Sequence, residues 1–253
     1  MEDDMVEEVM VRNNGFDIDL VTELFKKSLV GDNDVSLLLY IDAYRQINRD
    51  KILDSEVPCI LNSKWGTEQL KCRSMFMTPF PFCYRLFSLL SKGFSFIEND
   101  LLEKEKILMN LHTSDPIHYD TVNKMVSWEC RSGEPSEKGS RTLLRLHRAL
   151  LFIIDFSKNL KDSDEGDQIS TLCQASYNDT LSRDHSWIIR KLVGVAIHLL
   201  VSRDYILKAL MKKRGLRNEH EVKQAIIRFI DAAEQVFNRL QKIYEGRSIL
   251  NLP

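Results

Sequence analysis

Glu219-His-Glu-Val-Lys-Gln-Ala-Ile-Ile-Arg-Phe-Ile-Asp-Ala-Ala-Glu-Gln-Val-Phe-Asn-Arg-Leu-Gln-Lys-Ile-Tyr244 places Ile226, Phe229, Ile230, Ala233, Val236, Phe237 and Leu240 at steps of one and three residues. That spacing draws one apolar face along a helix of 3.6 residues per turn. The same pattern recurs on both sides of the chain. Arg141–Leu160 is an almost unbroken run of helix formers. Phe16–Leu29 puts Phe16, Leu20, Leu24 and Phe25 on one side, with Gly31 expected as its C-cap. Asp34 is expected to N-cap a helix through Val35, Leu38, Leu39, Ile41 and Ile47. Helical spacing resumes at Leu86 and runs to Leu108. Tyr119–Cys130, Ile169–Thr180, Ser186–Ser202 and Asp204–Lys212 complete the set. Ser132–Ser140 reads as a polar loop and Asp162–Asp167 as a charged linker. The period-2 alternation of strands is not evident. The expectation is an all-α fold of seven to nine helices in one domain over residues 14–253, behind a disordered, acidic stretch at 1–13.

Composition removes several function classes. The 253 residues are 43% hydrophobic and 28% charged, with a net charge of −2, so no global basic field points to nucleic acid. The longest apolar runs, Ala149–Ile154 and Val193–Val201, fall far short of the ~18 residues that span a bilayer. The acidic start is the reverse of a secretory leader, and cytosol is the expected compartment. Five cysteines without CxxC spacing and six histidines without an i,i+4 pair suggest neither a disulfide framework nor a metal site. GxSxG, P-loop and GxGxxG motifs are missing, and His220-Glu221 lacks the second histidine of HExxH. We therefore expect no cofactor and no enzyme.

Residues 50–85 stand apart. This segment holds three of the cysteines and three of the six prolines (Pro58, Pro79, Pro81), without a helical stripe. It separates Tyr40–Arg49 from Leu86–Asp100, which otherwise read as neighbouring helical pieces. Two readings fit: an insertion of non-core sequence, such as an alternative exon or translated intron, or a long surface loop.

Charge clusters supply the candidate site. Arg141, Arg145 and Arg148 lie at i, i+4 and i+7, within about 60° of one another around a helix. Such a trio is either a solvated helix face or a clamp for phosphate or carboxylate, to which guanidinium donates paired, charge-assisted bonds. Asp100 and Lys104, at i,i+4, form an ordinary helix-surface ion pair or part of the same site. His185 is a cap, a core residue or a polar ligand. Trp187-Ile-Ile-Arg190-Lys191 sets an aromatic anchor beside two cations, which suits an anionic membrane surface or a half-buried helix equally.

Phe94-Ser-Phe-Ile97 with Asp100 and Lys104, Arg141-Thr-Leu-Leu-Arg145-Leu-His-Arg148-Ala-Leu150, Tyr177-Asn178 with His185 and Trp187, and the terminal Leu250-Asn-Leu-Pro253 together resemble the glycolipid transfer protein family. The likeness runs over about residues 14–49 and 86–253, interrupted by the 50–85 insertion. It implies a two-layer all-α sandwich that takes a sphingolipid's chains between its layers. It further implies that Asp100 binds the ceramide amide and hydroxyl, that His185 meets the amide carbonyl, and that Lys104, Arg141 and Arg145 hold the headgroup. The sugar-binding branch of the family carries a tryptophan where this chain has Arg145. Three cations suit the −1.5 to −2 charge of a phosphate monoester better than a sugar, so the resemblance implies ceramide-1-phosphate as ligand. The expected function is non-enzymatic transfer of that lipid by a cytosolic monomer. It would touch intracellular membranes and the inner plasma membrane only transiently, through Trp187, Arg190 and Lys191. A sphingolipid sensor acting through a protein partner, or a glycolipid carrier, are the alternatives.

Overall fold

Asp17 opens the first helix, α1 (Ile18–Ser28), by accepting the N–H groups of Asp19 and Leu20 at 3.1 and 3.2 Å. A side-chain acceptor here satisfies donors that the first helical turn leaves without partners. The computed structural model describes residues 17–48, 95–131, 137–214 and 218–252. The segment 50–85 and residues 1–13 lie outside the described residues.

Two local expectations are corrected just after α1. Gly31 is not its cap: the helix ends at Ser28 and the chain enters strand β1 (Leu29–Val30), paired antiparallel with β2 (Asp34–Val35). Gly31 occupies the intervening turn at φ +50°, a conformation that costs a residue without Cβ little. Asp34 does not cap the second helix either. Its carboxylate accepts the N–H groups of Val35 and Asn123 at 2.8 and 3.0 Å, tying the hairpin to a distant helix. Ser36 takes the capping position, with its Oγ accepting Leu39 N–H at 3.5 Å.

The remaining helices are α2 (Leu37–Asn48), α3 (Ser95–Ser114), α4 (Val122–Glu129), α5 (Lys138–Asp162), α6 (Ile169–Asp179), α7 (Trp187–Ile197), α8 (Arg203–Arg214) and α9 (Glu219–Gly246), with a 3₁₀ turn at Ser182–Asp184. The described residues thus form nine α-helices, in the two-layer all-α arrangement expected. Helix α1 packs between α2 and α9, while α5 packs among α3, α6 and α9. Between them runs one apolar core. Its centre is aromatic: Phe25 meets Tyr40, Tyr44 and Phe229 with ring centroids 6.1–6.5 Å apart, in tilted and edge-on geometries that favour aromatic pairs.

Helix α5, which carries the arginine cluster, is anchored at both ends. At its start the buried Glu129 accepts the N–H groups of Gly139 and Ser140 at 2.8 and 2.7 Å and the Tyr119 hydroxyl at 3.0 Å. A carboxylate there also complements the positive end of the helix dipole. At its far end the buried Arg203 donates to the hydroxyl and carbonyl of Ser163, both at 2.9 Å, and pairs with Glu219. Helix α7 is shorter than its apolar spacing predicts. Leu199 and Leu200 fall in tight i→i+3 turns after Ile197 instead of extending the helix.

Candidate functional site

Four of the predicted site residues share one cavity. Asp100, Lys104, Arg145 and His185 all line a space of about 450 Å3 between α3, α5, α6 and α7. The polar groups gather on one side. Lys104 comes from the buried face of α3 and forms an ion pair with Asp100 one turn earlier, whose side chain is 59% exposed. Arg145 stands on α5 across from them, with Arg148 one turn further on. The rest of the wall is apolar: Leu101, Phe152, Leu181, Ile189, Val193 and Ile197 among others. The arrangement is an apolar cavity with an ionic rim.

Helix spacing explains how α6 and α7 contribute. Cys173 and Tyr177 lie at i,i+4 on α6, and Ile189, Val193 and Ile197 repeat at intervals of four on α7, so each set turns one face to the cavity. Burial pushes the Cys173 thiol up to about 12, so this residue is a protonated, apolar wall. Burial likewise holds the His185 imidazole below its usual range, against the opposing pull of the Asp184 and Asp100 carboxylates. His185 Nδ1 lies 2.9 Å from the Tyr177 hydroxyl.

The other predicted residues lie nearby but not in the wall. Arg141, one turn before Arg145, is half-buried and outside the cavity lining. Arg190 donates to the carbonyls of Ser182 and His185 at 3.3 and 3.1 Å, which fastens the turn that carries His185. Lys191 places Nζ 5.3 Å over the ring of Trp187. Trp187 itself is 61% exposed and continues into Ile188, Leu192 and Val195, all on the outer side of α7. This helix is therefore apolar on both faces: one lines the cavity, the other meets solvent.

Two roles were not foreseen from the residues. Arg148, which shares a helix face with Arg141 and Arg145, donates to the carbonyls of Leu250 and Leu252 at 2.9 and 3.4 Å and pairs with Asp184 at 3.6 Å. It fastens the chain's last turn and the His185 turn to α5. Tyr177 belongs to the site through its bond to His185. Its place beside His185 among the residues that carry the family resemblance was the available signal.

An apolar cavity with a cation-rich rim inside a two-layer helical sandwich defines a lipid-binding protein. The family model for Glycolipid transfer protein (GLTP) matches residues 76–212, more than half of the chain, and the chain belongs to that family. The match starts inside the 50–85 segment. Among relatives, ceramide-1-phosphate transfer protein of Mus musculus is 36% identical over 180 residues, covering 67% of this chain and 82% of the relative. That of Rattus norvegicus is 34% identical over the same shares. The crystal structure of human ceramide-1-phosphate transfer protein in complex with 2:0 ceramide-1-phosphate superposes with a TM-score of 0.73 at 28% identity, covering 94% of this chain and all of that one. Among the described residues, no helix is long and apolar enough to cross a membrane.

Proposed function

We propose that this protein is a non-enzymatic carrier that withdraws ceramide-1-phosphate from one membrane, passes through the cytosol as a monomer and delivers the lipid to another. The observation that carries this reading is the shared cavity of Asp100, Lys104, Arg145 and His185, apolar inside and cationic at its rim. Relatives that bear the name ceramide-1-phosphate transfer protein support it.

The chemistry follows from the groups present. Each buried methylene stabilises by about 0.8 kcal/mol relative to water, but the donor bilayer already buries the chains. That contribution nearly cancels between membrane and protein, and selection falls to the polar rim. Lys104 and Arg145 face the phosphate there, and Arg141 adds positive potential from one turn behind. The Asp100 carboxylate accepts from the ceramide amide and hydroxyl. Tyr177 donates its hydroxyl proton to Nδ1 of the neutral His185, which leaves Nε2–H to donate to the amide carbonyl. Arg190 holds that turn in place. Trp187 and Lys191, with the outward face of α7, rest on the membrane while the lipid crosses.

The test is transfer of labelled ceramide-1-phosphate between vesicles, beside a neutral glycosylceramide. The phosphorylated lipid should move and the sugar lipid should not, and Arg145→Leu should abolish the difference with the helical circular dichroism spectrum unchanged. Equal transfer of both lipids by the parent chain overturns the assignment.

A further inference from the structure

The hairpin, α4 and the last turns of α9 enclose a second cavity of about 310 Å3, which shares no residue with the first. Its chemistry is also different. Asn33, Asn123, Arg239, Lys242 and Arg247 border it with Asp32, and Ile243 is the only apolar side chain among the described residues of its wall. Acyl chains would find little apolar wall here, only the Ile243 side chain. A charged headgroup would.

Three cations face one carboxylate. Arg239 uses a single nitrogen, Nη1, to donate to the carbonyls of Val30, Gly31 and Asp34 at 3.3, 2.8 and 3.1 Å. The hairpin turn therefore fixes this guanidinium, and among the described residues its Nε–Nη2 edge has no protein partner. That edge is the fork that binds two oxygens of one anion. The Lys242 ammonium has no ion-pair or hydrogen-bond partner among the described residues. Arg247 donates from Nη2 to the Ser127 hydroxyl at 2.7 Å. The far wall is held independently of any ligand, because Asn123 donates from its side chain to Asn33 O at 3.0 Å and from its backbone to Asp34.

Counting three cations against Asp32 leaves a wall charge of +2. A phosphate monoester, at about −1.5 to −2, neutralises that charge, whereas a phosphodiester or a carboxylate leaves half of it uncompensated. We infer that this cavity is a second anion site, specific for phosphate monoesters and separate from the lipid cavity. The ester is either a soluble metabolite or the headgroup of a lipid that stays in the membrane.

The experiment follows backbone amide resonances of the full chain during titration with sn-glycerol 3-phosphate. Gly31, Asn33, Asn123 and Gly246 should shift, and the dissociation constant read from them should rise about tenfold or more in Lys242→Gln/Arg247→Gln. Both substituted side chains are exposed, and the single Lys242→Gln variant removes no contact within the protein, so it keeps the test valid if the double variant unfolds. Co-sedimentation with phosphatidylcholine vesicles containing phosphatidic acid separates the two sources. Reduced sedimentation of the variants assigns the site to a lipid-borne ester; unchanged sedimentation with lost shifts assigns it to a soluble one. Ceramide-1-phosphate transfer between neutral vesicles should remain at the parental rate in Lys242→Gln. Shifts confined to the Lys104–Arg145 cavity, or hairpin shifts that persist in both variants, overturn the inference.

Discussion

Lys104→Met removes one positive charge from the rim of the cavity, where the proposed function places the phosphate, while keeping a chain of similar length and helix propensity. The parent rim holds Lys104, Arg145 and Arg148 against Asp100 and Asp184, so the substitution takes its net charge from +1 to zero. The Lys104 side chain is only 11% exposed, which limits screening of its attraction for a phosphate. Unit charges about 4 Å apart attract by about 4 kcal/mol at an effective dielectric constant near 20. Competition from Asp100 and the cost of desolvation reduce this to about 2–3 kcal/mol, the lower part of the range for a buried charged contact. Binding of ceramide-1-phosphate should therefore weaken by about 30- to 150-fold. Folding should change by less than about 1 kcal/mol, because the Asp100 carboxylate left behind is mostly exposed and hydrates in place. The assay pairs equilibrium binding to vesicles carrying the lipid with urea denaturation of the free protein. Parental affinity in the Met variant would show that Lys104 does not face the phosphate. A loss of affinity matched by a large loss of stability would show instead that it is a structural residue.

Other outcomes follow from the same structure. His147 is buried, stacked 4.2 Å from Phe237, and burial depresses its imidazole to about 4 from 6.5. A depressed histidine stabilises the fold above its unfolded value and loses that contribution as pH falls towards 4, so stability should drop by about 2 kcal/mol between about pH 7.5 and 5; His147→Gln should flatten that part of the denaturation profile. Gly139→Ala would set a Cβ 2.8 Å from both Glu129 Oε1 and Met125 Sδ, and should lower stability by about 1–3 kcal/mol, read as a fall in Tm. Trp187→Ala should weaken binding to phosphatidylcholine vesicles that lack ceramide-1-phosphate about tenfold, or about 1.4 kcal/mol, with an unaltered circular dichroism spectrum. Deleting residues 50–75, the part of the 50–85 segment upstream of the family match, should preserve cooperative unfolding and transfer; a broad, non-cooperative denaturation curve would refute the insertion reading.

What the residues disclosed beforehand depended on how local the physics was. Helices such as α1, α5 and α9 could be read because they carry a 3.6-residue apolar stripe, whereas two-residue strands are too short to show an alternation. The spacing of Asp100 with Lys104, and of Arg141, Arg145 and Arg148, showed that each set shares a helix face, but it left a solvated surface and an anion site both open, and the family resemblance made the choice. Spacing fixes an angle on one helix but not what covers that face. Arg141 and Arg145 are equivalent by that measure, yet only Arg145 reaches the cavity wall. Arg148 finds its carbonyl partner 102 residues away, beyond any local pattern. Helix α7 makes the same point most sharply. Ile188 and Ile189 are adjacent and chemically identical, and apolar residues cover the helix surface except for the strip of Arg190 and Lys191, a pattern close to the one that ordinarily means complete burial. Here Ile189 lines the cavity and Ile188 is more than half exposed. Helix α7 divides the cavity from solvent, and its outer side carries Trp187, Ile188, Leu192 and Val195. On the proposed function that outward face is the part of α7 that would meet a membrane, and the position of each side chain, not hydrophobicity summed over the helix, separates it from the cavity wall.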